Sequence, residues 1–487
     1  MSKPENNKKY LISNFGCQMN YADGERFAAI IQELGYQPGE KMEQADLLIL
    51  NSCSERQKAE DRILGLGRIM EALKMHNPNL KIVLTGCMAR RSWRDKNKTN
   101  TPLQMTQQNR EQELKEVMPW VDLVLESKDF FRLPELLGKP LVAKATDYLS
   151  FKPKNNSSFQ AYVPISVGCD HFCTYCIVPF ARGQEVCRDS GSIIKEFKDL
   201  IDRGYKDITL LGQTVNRWIN PKFAQELKQG RVANTRIPEL NTHPLTQEEI
   251  KITSEPIDFL QLLQVFDSVP GDYWLTFMSS HPNYLTPELI KFMANSKHIR
   301  PYIHFALQSG SDTVLTRMNR RYSVSEFIDK AKLLKQLIPG IGLSTDIIVG
   351  FPGETKEQFL ETAKVMQQLE FDMAFLSEFS SRKGTAAALI PDDISREEKG
   401  RRKKYLNDEV LAKTAFANNQ KLLGTTQKVL LEGITPKGMI MGRTGNYKEI
   451  RINNADNIAV KPGDFVSVKV MTATPWALTG ILQNSSR

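Results

Sequence analysis

The chain has 487 residues, 41% of them hydrophobic and 25% charged, with a net charge of +9 and an isoelectric point near 9.0. These proportions are those of globular material and exclude a collagenous or disordered chain; the length asks for about two to four domains, and the basic balance leans toward an anionic partner such as nucleic acid. No run of about eighteen apolar residues appears, so no transmembrane helix is expected, and the polar start MSKPENNKKY lacks the apolar core of a secretory signal. The expectation is a cytoplasmic protein with reduced thiols. Its seven cysteines, an odd number, then read as ligands or nucleophiles rather than disulfides.

Residues 9 to 125 alternate apolar strands (KYLISNFG, ADLLILNS, LKIVLTG) with stretches of helical period (ADGERFAAIIQELGYQ, ERQKAEDRILGLGRIMEAL). This rhythm predicts an α/β domain over 8–128 with a doubly wound parallel sheet. A polar insert at 89–112 reads as a loop, and LSFKPKNNSSF at 148–158 as a linker. From 160 to 390 the rhythm returns in six candidate strands: YVPISVG, DITLLGQ, YWLTFMS, YIHFALQ, GLSTDIIVG and MAFLSEFS. So long a run of βα units predicts a partial (β/α) barrel over 151–393, interrupted by a polar insertion between Arg217 and Pro256. REEKGRRKKY, 396–405, begins a helix whose charges read first as a solvated face. Over 419–484 the short strands QKVLLEG, GMIMGRT, KEIRINN, DFVSVKVM and ALTGILQ predict a five-stranded β-barrel, of the RNA-binding kind or purely structural.

The cysteines carry the chemistry. Cys17, Cys53 and Cys87 each stand just past the carboxyl end of a predicted strand, 36 and 34 residues apart. Ligands of open parallel sheets bind at those ends, so three loops would bring three thiols together; the bland alternative is three small buried side chains. VGCDHFCTYC, 167–176, places Cys169, Cys173 and Cys176 after the first strand of the barrel, the face where barrel enzymes put their chemistry. Structural zinc closes with four protein ligands, which His171 or Cys187 would have to complete. A four-iron cluster takes one thiolate per iron, so three leave one iron open to a small molecule.

C-x-x-x-C-x-x-C at this place resembles the radical S-adenosylmethionine superfamily, and the whole chain resembles its methylthiotransferases. The resemblance rests on FGCQMN (15–20), NSCSERQKAE (51–60), TGCMAR (85–90), VGCDHFCTYCIVPFARGQE (167–185), LLGQTVN (210–216), SSHP (279–282), LQSGSDTVLTRMNRRY (307–322), STDIIVGFPGET (344–355) and SRKGTAA (381–387), in the family's order over nearly the whole chain. FGCQMN and NSCSERQKAE resemble the branch that adds a methylthio group to carbon 2 of isopentenyladenosine, 3′ of the anticodon in tRNA. The C-terminal barrel resembles the TRAM domain.

The resemblance implies that Cys169, Cys173 and Cys176 hold a [4Fe-4S] cluster whose open iron chelates S-adenosylmethionine. It implies that Cys17, Cys53 and Cys87 hold an auxiliary [4Fe-4S] cluster that carries the sulfur. By the same resemblance Tyr175 lies against the adenine, Gln213 and Asn216 approach the methionine moiety, and Gln308 and Ser309 reach the ribose or sulfonium; no catalytic acid or base is assigned. The implied partners are the tRNA anticodon stem-loop, a reductase and a donor of sulfur or iron–sulfur, with no membrane and a monomeric chain. Two further readings stay open. One is the same chemistry on threonylcarbamoyladenosine or a ribosomal protein; the other is a non-catalytic, metal-stabilised RNA-binding protein. The chain departs from the family pattern in its two inserts, in FSSR at 379–382, and in Cys187.

Overall fold

The computed structural model describes residues 8–55, 57–90, 107–140, 147–228, 256–435, 438–453 and 459–483. The 89–112 and 217–256 inserts therefore lie largely outside the described residues. The chain divides into two compact units: residues 1–156, 167–186 and 382–388 form the first, and 157–166, 187–381 and 389–487 the second.

The first unit is built on a parallel sheet of β1 (Lys9–Phe15), β2 (Gln37–Pro38), β3 (Leu47–Ser52), β4 (Lys81–Gly86) and β5 (Leu123–Val124), in the order β2-β1-β3-β4-β5. Apolar runs such as Leu47–Leu50 are wholly buried, as a sheet covered on both faces requires. One cluster centres on Leu48, Leu50, Ile82 and Leu84, and the other on Phe27, Ile31, Leu47 and Ile49. Register pairs Phe15 with Ser52 and Ser52 with Gly86, so the three central strands end in one row. Helices α1 (Gln18–Glu33), α2 (Gln57–Leu64) and α3 (Gly67–His76) follow β1 and β3. The stretch expected as one helix is two, because Gly65 closes the first on Asp61 O at 2.9 Å and glycines on either side of Leu66 weaken a continuous helix. A further helix, Gln107–Val117, replaces the end of the loop expected at 89–112.

The expected linker at 148–158 is partly core. Tyr148 is buried, packs at a tilt against Phe27 with ring centroids 5.7 Å apart, and donates to Asp23 Oδ1 at 2.8 Å. An aromatic ring beside charged residues hides this role from a compositional reading.

The second unit holds β6 (Gln160–Pro164), β9 (Asp207–Leu211), β10 (Trp274–Phe277), β11 (Tyr302–His304), β12 (Gly342–Val349) and β13 (Met373–Glu378); the two-residue strands β7 (Ser166–Val167) and β8 (Val186–Cys187) flank the cysteine loop in the chain. The six form two parallel three-stranded sheets, β6-β9-β10 and β11-β12-β13, joined by the parallel bridges Leu275–Ile299 and Ser280–Phe305. This is an open (β/α) barrel. Its main core lies between strands and helices, around Phe197, Phe266, Phe305 and Phe327. The C-terminal strands β14 (Thr426–Ile434), β15 (Ile440–Thr444), β16 (Glu449–Asn453), β17 (Phe465–Ala473) and β18 (Leu478–Leu482) close into the expected five-stranded barrel, in the order β14-β15-β16-β18-β17. Alternate residues Val429, Leu431, Ile450, Ile452, Val468 and Val470 fill it.

Arg300 fastens the small barrel to the larger one. Its side chain is fully buried, with Nη1 3.2 Å from Asp207 Oδ2 and Nη2 3.1 Å from Thr444 O, and its guanidinium lies over Trp274 and Tyr447 at 4.2 and 4.9 Å. Among the described residues no helix is long and apolar enough to cross a membrane.

Candidate active site

The three sheet-end cysteines meet. The backbone of Cys17 is extended and caps α1, its amide donating to Asn20 Oδ1 at 3.2 Å. Asn20 is tied to Asn51 at 3.0 Å, and Asn51 to Asn14 at 2.9 Å, so an asparagine ladder ties the β1 turn to β3. Gly16 is required there, since a Cβ would lie 2.6 Å from Cys53 Cβ. Gly86 has φ +85°, and its Cβ would lie 2.4 Å from Ser52 O. These contacts explain the strand-end strings NFGC, NSC and TGC.

Hydrogen bonding with Cys53 couples the three thiols. It lowers Cys17 and brings Cys87 down to about 6, with Arg182 lowering both further, while Cys53, bonded to both and buried, stays well above the ordinary thiol range. Arg182 Nε donates to Cys87 Sγ at 3.2 Å, and Arg182 Nη2 to Asp23 Oδ2 at 2.9 Å. Burial alone would favour the neutral guanidine, but Asp23 and Cys87 keep it charged.

Cys169, Cys173 and Cys176 lie in the same unit. Their loop is closed by Cys169 N donating to Gly183 O at 3.1 Å and Cys176 N to Cys173 O at 2.9 Å, with Phe172 left-handed at φ 45°. Burial, then Cys173 and Glu55, push the Cys176 thiol well up. Glu55 also acts on Cys17 and Cys53, so both cysteine sets share one carboxylate neighbour. The SRKGTAA segment ties them further. Arg382 donates to Glu55 O at 2.9 Å and Gln57 Oε1 at 2.8 Å, and Ala387 N donates to Thr174 O at 2.8 Å. Among the described residues no group of three or more His, Cys, Asp or Glu side chains is arranged to hold a metal ion; in a four-iron cluster each thiolate takes a different iron. Three soft donors on three loops, with a buried cation to offset their charge, fit such a group.

Gly168 sets the entry to the second cysteine loop. Its φ is +84°, and a Cβ would lie 2.1 Å from Gln184 O. Gly168→Ala is expected to cost about 1–3 kcal/mol in backbone strain, read as a lowered thermal midpoint of the iron-free protein; an unchanged midpoint would refute this account.

Tyr175 belongs to the first unit and is half-buried; Gln213, Asn216, Gln308 and Ser309 belong to the second. Gln213 is half-buried after β9. Both ends of the Asn216 amide are engaged by the His281 backbone, at 3.0 and 2.9 Å, so Asn216 pins the SSHP loop. Gln308 adopts a left-handed φ of 70° and bridges to β12 through Asp346 O and Ile348 N. Ser309 Oγ accepts from Ser311 N at 3.3 Å and lies 3.4 Å from Thr362 Oγ1. Cys187 packs at the edge of the barrel core, in the unit that lacks the other six.

Several residues escaped the sequence reading. Arg182, Asp23 and Arg382 sit inside the strings FARGQE, MNYADGE and SRKGT, where position beside a cysteine motif was the available signal for the first two and the motif SRKGTAA for the third. In the second unit Tyr302 OH, Ser344 Oγ, His304 and Asp346 form a continuous hydrogen-bonded row, with steps of 2.7, 2.9 and 3.0 Å; alternation in YIHFALQ and GLSTDIIVG marks its face. The basic run is not a solvated face throughout. Lys399 is buried against Asp392, and Arg402 against Glu354 at 2.8 Å. Lys448 of the small barrel is likewise paired with Asp372. Arg396, Arg401, Lys404 and Arg451 remain exposed.

An open parallel barrel with a C-x-x-x-C-x-x-C loop after its first strand is the fold of the radical S-adenosylmethionine superfamily, whose model matches residues 163–366; "Uncharacterized protein family UPF0004" matches 9–107 and the TRAM domain 420–482. Superfamily membership implies S-adenosylmethionine and a four-iron cluster. The tRNA-2-methylthio-N(6)-dimethylallyladenosine synthase of Clostridium novyi is 34% identical, the match covering 97% of this chain and 96% of that protein. The synthase of Dictyoglomus thermophilum is 35% identical, covering 97% and 98%. This chain therefore belongs to the tRNA-2-methylthio-N(6)-dimethylallyladenosine synthase family of radical methylthiotransferases. A solved radical S-adenosylmethionine methyltransferase from Kitasatospora setae is 12% identical with a TM-score of 0.46, over 78% of this chain and 77% of that one.

Proposed function

We propose that this enzyme adds a methylthio group to carbon 2 of isopentenyladenosine on the 3′ side of the anticodon in tRNA. The observation that carries the proposal is identity of 34% across 97% of the chain to a synthase named for that product. Its parts are an auxiliary domain over 8–128, a radical core over 151–393 and a TRAM barrel over 419–484. It works in the cytoplasm as a monomer, with a reductase and a donor of sulfur or iron–sulfur as partners.

Cys169, Cys173 and Cys176 hold one [4Fe-4S] cluster, and Cys17, Cys53 and Cys87 hold a second. The chemistry supplied when these groups are bound is reductive cleavage of S-adenosylmethionine, hydrogen abstraction from a carbon that no base deprotonates, and delivery of sulfur. The chain's part is placement. Tyr175 packs against the adenine of S-adenosylmethionine. Gln213, Gln308 and Ser309 face its methionine and ribose, and Asn216 acts by holding the loop at His281. Arg382 fixes the loop that carries Cys53. The anticodon-loop base is presented unstacked, as single-stranded RNA permits.

Incubation of the reconstituted enzyme with isopentenylated tRNA, S-adenosylmethionine and a reductant, followed by nucleoside mass analysis, tests the reading. The methylthio derivative of isopentenyladenosine is expected. A product on threonylcarbamoyladenosine tRNA, or none on any tRNA, would overturn it.

Phosphates are met by the exposed Arg396, Arg401, Lys404 and Arg451 rather than by Lys399, Arg402 and Lys448, whose side chains are largely buried against carboxylates. With about four phosphates neutralised, tRNA affinity is expected to fall by a few tens of fold between about 50 and 200 mM salt. A flat response in a binding titration would remove these contacts from the proposal.

A further inference from the structure

The auxiliary triad is set beside buried donors that find no acceptor among the described residues. Arg182 is nearly sealed from solvent, its side chain 3% exposed, and Asp23 is fully buried. The guanidinium is held at both ends: Nε donates to Cys87 Sγ at 3.2 Å, and Nη2 to Asp23 Oδ2 at 2.9 Å. Asp23 is fixed in turn by Tyr148 OH at 2.8 Å. Arg26, a second buried cation, acts on Tyr148. Arg182 Nη1 is buried and finds no acceptor among the described residues. The Ser54 hydroxyl, next to Cys53, and the Thr85 hydroxyl, two residues before Cys87, are also buried without partners there. Leaving a buried donor without an acceptor is costly, and a loop system that keeps three of them beside three thiols expects an anionic ligand.

We infer that Arg182 is a positioning residue that sets the reduction potential of the group held by Cys17, Cys53 and Cys87. A fixed N–H donor on a ligating sulfur, on a guanidinium held by a buried carboxylate and with one further N–H still unsatisfied in low dielectric, stabilises the form carrying one more electron and so raises the potential. Asp23 and Tyr148 keep the guanidinium from turning away, and Nη1 is left to meet charge that arrives with the group. The inference rests on the reading of this triad as a four-iron site.

The test uses the full-length chain with Cys169, Cys173 and Cys176 replaced by alanine, so that only the auxiliary group is reconstituted, and measures iron per chain and midpoint potential by a reductive titration followed by electron paramagnetic resonance. About four irons are expected in this parent. Arg182→Gln keeps the shape and loses the charge; it is expected to keep its iron and to shift to lower potential. Tyr148→Phe, which loosens Asp23 without touching a ligand or Arg182, is expected to shift the same way by less. Unchanged potentials in both would overturn the inference. If Arg182→Gln fails to hold iron, Tyr148→Phe alone decides, a downward shift supporting the inference and no shift ending it. A parent without iron would instead overturn the reading of the triad itself.

Discussion

Replacing Cys169, Cys173 and Cys176 together by alanine is expected to lower iron from about eight to about four per chain and to abolish cleavage of S-adenosylmethionine with no methylthio product left. The complementary replacement of Cys17, Cys53 and Cys87 is expected to remove about the same amount of iron while leaving cleavage of S-adenosylmethionine measurable and product absent. The asymmetry follows from the division of labour proposed for the two sets, although both share Glu55 as a neighbour. Iron and sulfide analysis beside detection of 5′-deoxyadenosine and of the modified nucleoside checks both halves. Iron unmoved by either replacement would end the two-cluster reading. Cleavage lost equally in both would instead mean that the sets do not act separately.

Arg300→Ala is expected to be the most destabilising single change in the second unit outside its apolar core. The substitution leaves Asp207, 2% exposed, with only the Gln160 amide at 3.0 Å for compensation among the described residues. Breaking a buried pair from one side costs about 3–5 kcal/mol. Loss of the faces of Trp274 and Tyr447 adds about 1 kcal/mol, and Thr444 O loses one donor, keeping Tyr447 N at 3.0 Å. A drop in thermal midpoint on the order of 10 °C is expected for a unit of this size. Arg300→Met combined with Asp207→Asn removes both charges and is expected to recover most of the loss. A single variant within about 1 kcal/mol of the parent would mean that Arg300 does not fasten the small barrel to the larger one.

Much of the fold was legible because its signals are local. Apolar runs bounded by Gly, Asn and Ser gave the strands, and their βα rhythm gave the parallel sheet and the open barrel. Cys17, Cys53 and Cys87 were placed at strand ends on that rhythm alone, and register confirms the row through Phe15, Ser52 and Gly86. The C-terminal barrel was legible from alternation and turns. Tyr148 was not, since a short segment between charged residues carries no period, and the basic run was misread because the acids that pair with Lys399 and Arg402 come partly from elsewhere in the chain.

By itself the sequence determined which residues are chemically able to bind soft metals, where the strands end, and to which family the motifs point. Only the tertiary structure decided their company. Arg182 reaches Cys87 across 95 residues and Asp23 across 159, Tyr148 reaches Asp23 across 125, and Arg382 reaches Gln57 across 325. Period and spacing report which side of an element is buried. Which cation meets which thiolate depends on strand order and register, and these are fixed by the packing of the whole sheet.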